Sequence, residues 1–259
     1  MTRRVFALAA HPDDIEFVMA GTLILLKQAG YDVHYMTITN GSVGSLVHSR
    51  EEIIRLRREE SLASAVLLGA IYHESLVDDI EIFYEKPLLL RVAGVMRQVA
   101  PEILLVQSPS DYMEDHQNAV RLAVTAAFCR SMPNYVTDPP VPPVNQDITI
   151  YHGQPHSNLD PLRHLVQPDM YVDITSVFDK KLQILACHKS QQGWLDETQG
   201  MTSYLQTMQA ASRFVGQMSR QFEYAEGWRR HLPFGFCPED ADPLAEALSD
   251  NIFYPPKQV

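Results

Sequence analysis

The chain has 259 residues, 46 % hydrophobic and 20 % charged, a globular composition that argues against wholesale disorder. Its 21 basic and 32 acidic side chains give a net charge of −11, which disfavours nucleic acid as a partner because a polyanion meets repulsion. The longest apolar runs, residues 5–10 and 23–26, fall short of the ~20 residues that span a bilayer, so no transmembrane segment is expected.

Residues 5–10, Val-Phe-Ala-Leu-Ala-Ala, form a continuous apolar run ended by a polar loop, the pattern of a parallel strand buried on both faces. Residues 14–29 then read as a helix with Phe17, Leu23 and Leu26 inward and Gly30 at its C-cap. A strand over 32–39 ends in the loop Asn40-Gly41-Ser42, and an amphipathic helix over 51–68 is closed by Gly69. In that helix Arg55, Arg57 and Arg58 sit among Glu51, Glu52, Glu59 and Glu60, a solvated face. Residues 71–77 read as a strand, 87–99 as a helix, 102–107 as a strand and 118–131 as a helix. Eight of the 17 prolines fall between Pro133 and Pro168, marking an irregular excursion around a short β segment at 148–152. A strand at 171–174, a helix over 176–188 and helical patterning over 202–218 follow, with 223–230 a weaker helical stretch.

Strands alternating with helices of this length define an α/β fold: a Rossmann-like, mainly parallel sheet with helices on both faces. The whole chain, 1–259, reads as one domain, with a core over about 4–132 and a C-terminal elaboration over about 133–259. Cys129, Cys187 and Cys237 lie far apart and are odd in number, which indicates free thiols and a cytoplasmic setting.

Two loops carry the chemistry. His11-Pro12-Asp13-Asp14 follows the first strand, and residues 108–116, with Asp111, Asp115 and His116, follow the fourth. In a doubly wound sheet these strands are neighbours where the strand order reverses, and ligands bind in the crevice at their C-terminal ends. Two imidazoles and a carboxylate make a three-ligand zinc site with a position left for water, whose pKa the metal lowers to ~7. A spare carboxylate from the Asp13-Asp14 pair can then serve as a proton shuttle. The competing role for either residue is to N-cap the helix that follows. No G-x-G-x-x-G follows the first strand, which argues against a dinucleotide site.

The residues 10–14, Ala-His-Pro-Asp-Asp, resemble the signature of the LmbE-like zinc deacetylases, which include the N-acetylglucosaminyl-phosphatidylinositol de-N-acetylases (PIG-L). The likeness continues through Asn40-Gly41-Ser42, Arg57, Glu60, the run from Ala63 to Gly69, Asp115-His116, Val172-Asp173-Ile174, Lys181, His188-Lys189-Ser190-Gln191 and Tyr224-Ala225-Glu226, over roughly residues 4–230. It implies His11, Asp14 and His116 as ligands of one Zn²⁺ per chain, although His/Asp ligation also suits other divalent ions. It further implies Asp13 as catalytic base and Asp115 as the carboxylate that orients a neighbouring catalytic group. Arg57 and one of Asp78 or Asp79, with Asp79 preferred, are implied in holding the sugar. His188, Tyr112 and His152 join them as candidate substrate-binding residues.

One position departs from the family pattern: Met113 stands where many members carry a His three residues before the last ligand, and Met offers no hydrogen-bond donor. Tyr112, Tyr151, His152 and His156 are candidates to replace it. His34, His73 and His164 are read as structural, and Trp194, Tyr204 and Phe214 as core or interface. The resemblance implies an N-deacetylase that hydrolyses the acetamide of an N-acetylglucosamine-type conjugate to amine and acetate. Its partner is a small amino-sugar substrate, and the resemblance points to a homo-oligomer. The alternatives are a non-catalytic metal- or sugar-binding module, or a deacylase of a non-sugar amide.

Overall fold

A computed structural model describes residues 3–191 and 204–256. Trp194 and the first residues of the helical stretch expected at 202–218 lie outside them. Eight strands form one sheet in the order β3-β2-β1-β4-β5-β7-β6-β8. They are β1 (Arg4–Ala9), β2 (Asp32–Thr37), β3 (Ile71–His73), β4 (Ile103–Val106), β5 (Thr149–His152), β6 (Met170–Asp173), β7 (Ala225–Arg230) and β8 (Ile252–Phe253). The first five in that order pair in parallel, and β7, β6 and β8 continue the sheet antiparallel. The segment after residue 132 therefore completes the sheet that the first half begins.

The expected neighbours β1 and β4 do pair, from Val5 opposite Ile103 to Leu8 opposite Val106. Alternate residues of β1 leave on opposite faces, as strand geometry requires. Val5, Ala7 and Ala9 pack with Leu23 and Leu26 of α2 (Ala20–Gln28), Ile184 of α6 (Phe178–Leu185) and Met208 of α7 (Tyr204–Ser219). Phe6, Leu8 and Ala10 pack with Val92 and Met96 of α4 (Lys86–Val99) and with Leu122 and Ala126 of α5 (Glu114–Phe128). Two apolar layers thus enclose the sheet, and its strand ends are held rigid beneath the site loops.

The strand expected over 71–77 is only Ile71–His73, the helix Pro243–Ala247 and β8 were not expected, and three further differences have a visible cause or consequence. The helix expected over 14–29 is two, α1 (Asp14–Val18) and α2, broken at Met19. The cause is distant: Glu226 on β7 accepts hydrogen bonds from the Gly21 and Thr22 amides at 2.8 Å each, and its carboxylate pairs with buried Lys181 of α6 at 2.6 Å. Helix α5 begins at Glu114, not 118, so Asp115 and His116 stand on its first turn, where carboxylates gain from the helix dipole. Residues 225–230 are a strand and not a helix. There Trp228 is buried, and Gly227 lies so close to Pro168 that a Cβ would come within 2.5 Å of its ring.

The remaining α-helices among the described residues are α3 (Arg50–Leu68) and α8 (Pro243–Ala247). Ser49 and Glu52 form a reciprocal capping box at the start of α3, and Gly69 ends it at φ 74°. Among the described residues no helix is long and apolar enough to cross a membrane.

Candidate metal centre

The ends of β1 and β4 are tied together before the site begins. Gln107, just past β4, accepts the Ala10 amide on its side-chain oxygen at 2.9 Å, and Thr39 donates to the Ala10 carbonyl at 3.0 Å. The turn that follows brings His11, Asp13 and Asp14 over the first turn of α5.

Ligand atoms of His11, Asp14 and His116 all lie within 4.8 Å of one another, and all three residues are buried. Asp14 is the hub. Its Oδ2 accepts the His11 amide at 2.7 Å and lies 3.4 Å from His11 Nδ1, while its Oδ1 lies 3.5 Å from His116 Nε2. The outward nitrogens are occupied too: His11 Nε2 meets Asp115 Oδ2 at 3.0 Å, and His116 Nδ1 meets Asp111 Oδ1 at 2.9 Å. Each imidazole thus presents one nitrogen to the cluster and has the other held by a carboxylate, the arrangement that fixes tautomer and raises basicity in metal-ligating histidines. Two nitrogens and a carboxylate suit a divalent ion such as Zn²⁺. The expected ligand set fits a metal on donor chemistry and on this outer shell.

Electrostatics separates the two adjacent aspartates. Burial raises the Asp13 carboxyl, only partly opposed by the Arg57 charge. Burial also works against an ionised Asp14, but the His116 charge and hydrogen bonds from His11 and His156 hold it well below the usual carboxylate range. Burial opposes charge on His11 as well, yet hydrogen bonds to Asp115 and Asp14 push its pKa up to about 10. A bound cation takes the place of such protons.

Asp13 is not a helix cap. It stands at the N-cap position with φ 100° and makes no side-chain capping bond. Its Oδ2 lies 3.3 Å from Arg57 Nη2, and the Tyr204 hydroxyl bonds to it. Arg57 reaches Asp13 because Gly41, at φ 81°, leaves room: a Cβ there would sit 2.2 Å from Arg57 Cδ.

The other expected site residues fall into four places. Asp79 spends its carboxylate on the loop after β2, accepting from Gly41 N at 2.8 Å and Val43 N at 3.2 Å. Asp78 binds Asn40 and Arg50. His188 is fully buried, with Nε2 on Glu16 at 2.9 Å, in a polar floor completed by Ser64 and Tyr35. Tyr112 stands at the rim, edge-on to His116 with ring centroids 5.6 Å apart. His152 turns away from the cluster toward His231, at 2.9 Å, and the Gln107 carbonyl. Tyr151 donates to Asp242 at 2.7 Å.

Three residues at the site had no assigned role in the sequence reading. Asp111 was legible only as an acidic residue in the right loop. Tyr204 carried helix-spaced aromatic patterning that pointed to the core. Glu16 sat inside an apparently simple helix.

The described residues thus place a buried two-His, one-carboxylate cluster at the switch point of a Rossmann-like sheet, with a second carboxylate beside it. The family of GlcNAc-PI de-N-acetylase (PIG-L) matches residues 6–128, and the chain belongs to it. It is 30 % identical to a 4-oxalmesaconate hydratase of Pseudomonas putida, over 89 % of this chain and 90 % of that one. It is also 30 % identical to a diacetylchitobiose deacetylase of Thermococcus kodakarensis, over 88 % of this chain and 82 % of that one. Among solved structures, the 4-carboxy-2-hydroxymuconate hydratase of Pseudomonas putida superposes with a TM-score of 0.76 at 25 % identity, covering 93 % of this chain and all of that one.

Proposed function

We propose that this chain is a zinc-dependent N-deacetylase that hydrolyses the acetamide of an N-acetylglucosamine-type amino sugar. The observation that carries this reading is Asp13: a buried carboxyl, held up in pKa, clamped by Arg57 and Tyr204 beside the His11–Asp14–His116 cluster. When bound, the divalent ion supplies Lewis acidity and makes water a nucleophile at neutral pH. Asp13 takes a proton from the attacking water as its oxygen joins the acyl carbon. It returns that proton to the nitrogen as the C–N bond breaks, leaving acetate and a free amine. Asp115 and Asp111 hold the ligating imidazoles in place. Arg57 orients Asp13, and the loop pinned by Asp79, with Tyr112 at the rim, frames the sugar. Three unpaired cysteines support a cytoplasmic setting.

A second reading is hydration of an unsaturated carboxylic acid, favoured by the hydratase relatives. There the water oxygen adds to one carbon of a double bond and Asp13 passes the proton to the other. One experiment separates them. Zinc-loaded protein is offered N,N′-diacetylchitobiose and monomeric N-acetylglucosamine glycosides for acetate release, and 4-oxalmesaconate for loss of ultraviolet absorbance. Chelator-sensitive acetate release is the expected result; absorbance loss without acetate release overturns the deacetylase reading in favour of the second.

A further inference from the structure

Met113 leaves the site without the donor that would face a substrate's acyl oxygen, and the fold offers a replacement from another strand. The loop after β5 is anchored by Gly153 N donating to the Val106 carbonyl at 2.8 Å, and three residues on it carries His156 into the site. The His156 ring is stacked between two others: Phe17 at 4.7 Å and His116 at 5.1 Å, both at an interplanar angle of 29°. That sandwich fixes the ring plane and aims Nε2 at Asp14 Oδ1, 3.2 Å away. Because Asp14 accepts, Nε2 carries the hydrogen. This N–H stands within hydrogen-bond distance of a ligand atom, so an acyl oxygen seated over the cluster comes within its reach.

We propose that His156 is the hydrogen-bond donor to the substrate's acyl oxygen, filling the place that Met113 cannot; this rests on the acyl-hydrolysis reading above. The other candidates are otherwise engaged: Tyr151 with Asp242, His152 with His231, and Tyr112 on the exposed rim. The His156 side chain is also the most exposed of the four, at 16 % against 11 % for His11, 4 % for Asp14 and 2 % for His116. A hydrolytic centre keeps three protein ligands and one open position. His11, Asp14 and His116 supply the three; Asp111, His116 and His156 also bring ligand atoms within 4.8 Å of one another, but there Asp111 and His116 Nδ1 already hold each other at 2.9 Å, which leaves His156 to act on substrate.

The test compares wild type with His156→Phe, which keeps the stack and removes the donor, and His156→Gln, whose amide N–H reaches to the same place. Zinc retention is measured by chelator competition and acetate affinity by calorimetry on zinc-loaded protein. kcat and KM are measured with N,N′-diacetylchitobiose. In His156→Phe zinc is retained, acetate binding weakens by about tenfold or more, and kcat falls by about 10²–10³-fold with KM little changed. His156→Gln recovers part of both losses. Unchanged acetate affinity and kcat in His156→Phe overturn the proposal, and so does loss of zinc together with acetate, which makes His156 a ligand. A wild type that binds no acetate overturns it too. If wild type releases no acetate from any N-acetyl probe while acetate binding still depends on His156, the deacetylase reading fails and the donor stands.

Discussion

Asp13 and Asp14 are adjacent in sequence and opposite in electrostatics, and their division of labour follows from that difference. A carboxyl raised by burial takes up a proton more readily than an ordinary one, as the proposed base role requires, whereas one lowered by surrounding imidazoles stays ionised, as the proposed ligand role requires. Asp13→Asn keeps its hydrogen-bonding shape but cannot accept a proton. It should retain zinc in chelator competition and lose turnover by on the order of 10²–10⁴-fold; activity within a few-fold of wild type would remove Asp13 from the base role. His11→Ala should lose metal and turnover together, since it deletes a proposed ligand. The outer carboxylates act by a different route: Asp111→Asn leaves His116 in place but weakens its grip, so zinc affinity should fall by roughly 10–100-fold. Equal zinc affinity in that variant would reduce the Asp111–His116 contact to packing. His11, Asp13, Asp14, Asp115 and His116 were legible because their residue types and spacing after buried strands carry chemistry. Asp111, Glu16 and Tyr204 were not assigned and His156 was one of four candidates for one place, because their roles depend on which loop or helix face the fold brings alongside.

At the scale of elements, the parallel half was legible because continuous apolar runs such as residues 5–10 mark strands covered on both faces. The antiparallel half was less so. Ala-Glu-Gly-Trp-Arg-Arg over Ala225–Arg230 contains no β-branched residue, and its strand state is decided by pairing with β5 and β6 rather than by local preference. The break between α1 and α2 is set by Glu226, 205 residues away from Gly21. That glutamate caps a helix, pairs with Lys181 and sits on a central strand, so it couples three elements behind the site. Both partners are nearly inaccessible, with side chains 1 % and 3 % exposed. Lys181→Met leaves a buried carboxylate without its counter-charge and should destabilise the fold by about 3–5 kcal/mol, read in chemical denaturation. Lys181→Met with Glu226→Gln should recover part of that loss, because the amide oxygen still accepts one of the two α2 amides. A double variant as unstable as the single would show that packing of the lysine stem, not the charge, carries the effect.

Across the whole molecule, buried and half-buried imidazoles fall into two groups with opposite pH effects. His34 and His73 bridge β2 and β3 at 2.9 Å, and His152 and His231 meet at the same distance across β5 and the end of β7. Each pair needs one neutral ring to accept the other's hydrogen. Burial, with the partner imidazole adding to it, lowers His152 to about 3 and His34 to about 4 from the ordinary 6.5. Above pH ~6.5 these groups are neutral in folded and unfolded chains alike and confer no pH dependence. As pH falls from ~6.5 toward ~4, the unfolded chain takes up protons that the folded chain refuses, so stability drops. The slope is up to about 1.4 kcal/mol per pH unit for buried His152 and smaller for half-exposed His34. His11, His156 and His188, raised by their carboxylate partners, are protonated in both states over that window and add no slope there; their contribution is present below ~6.5 and lost as pH rises above it. The lowered carboxylates Asp14 and Glu16 lose their contribution only as pH enters the ordinary carboxylate range and below. In the window from pH ~6.5 to ~5 the two imidazole pairs therefore set the downward slope, against the burial-raised Asp13 carboxyl, which takes up its proton more readily folded than unfolded and works in the opposite direction. Urea midpoints of zinc-stripped protein should fall steadily across it, with zinc removed so that ligand protonation does not contribute. The His34→Gln, His152→Gln double variant should show a markedly flatter profile. A wild-type midpoint that is constant over this range would mean that the pairs open and solvate before they charge, and the neutral-pair account would fall with it.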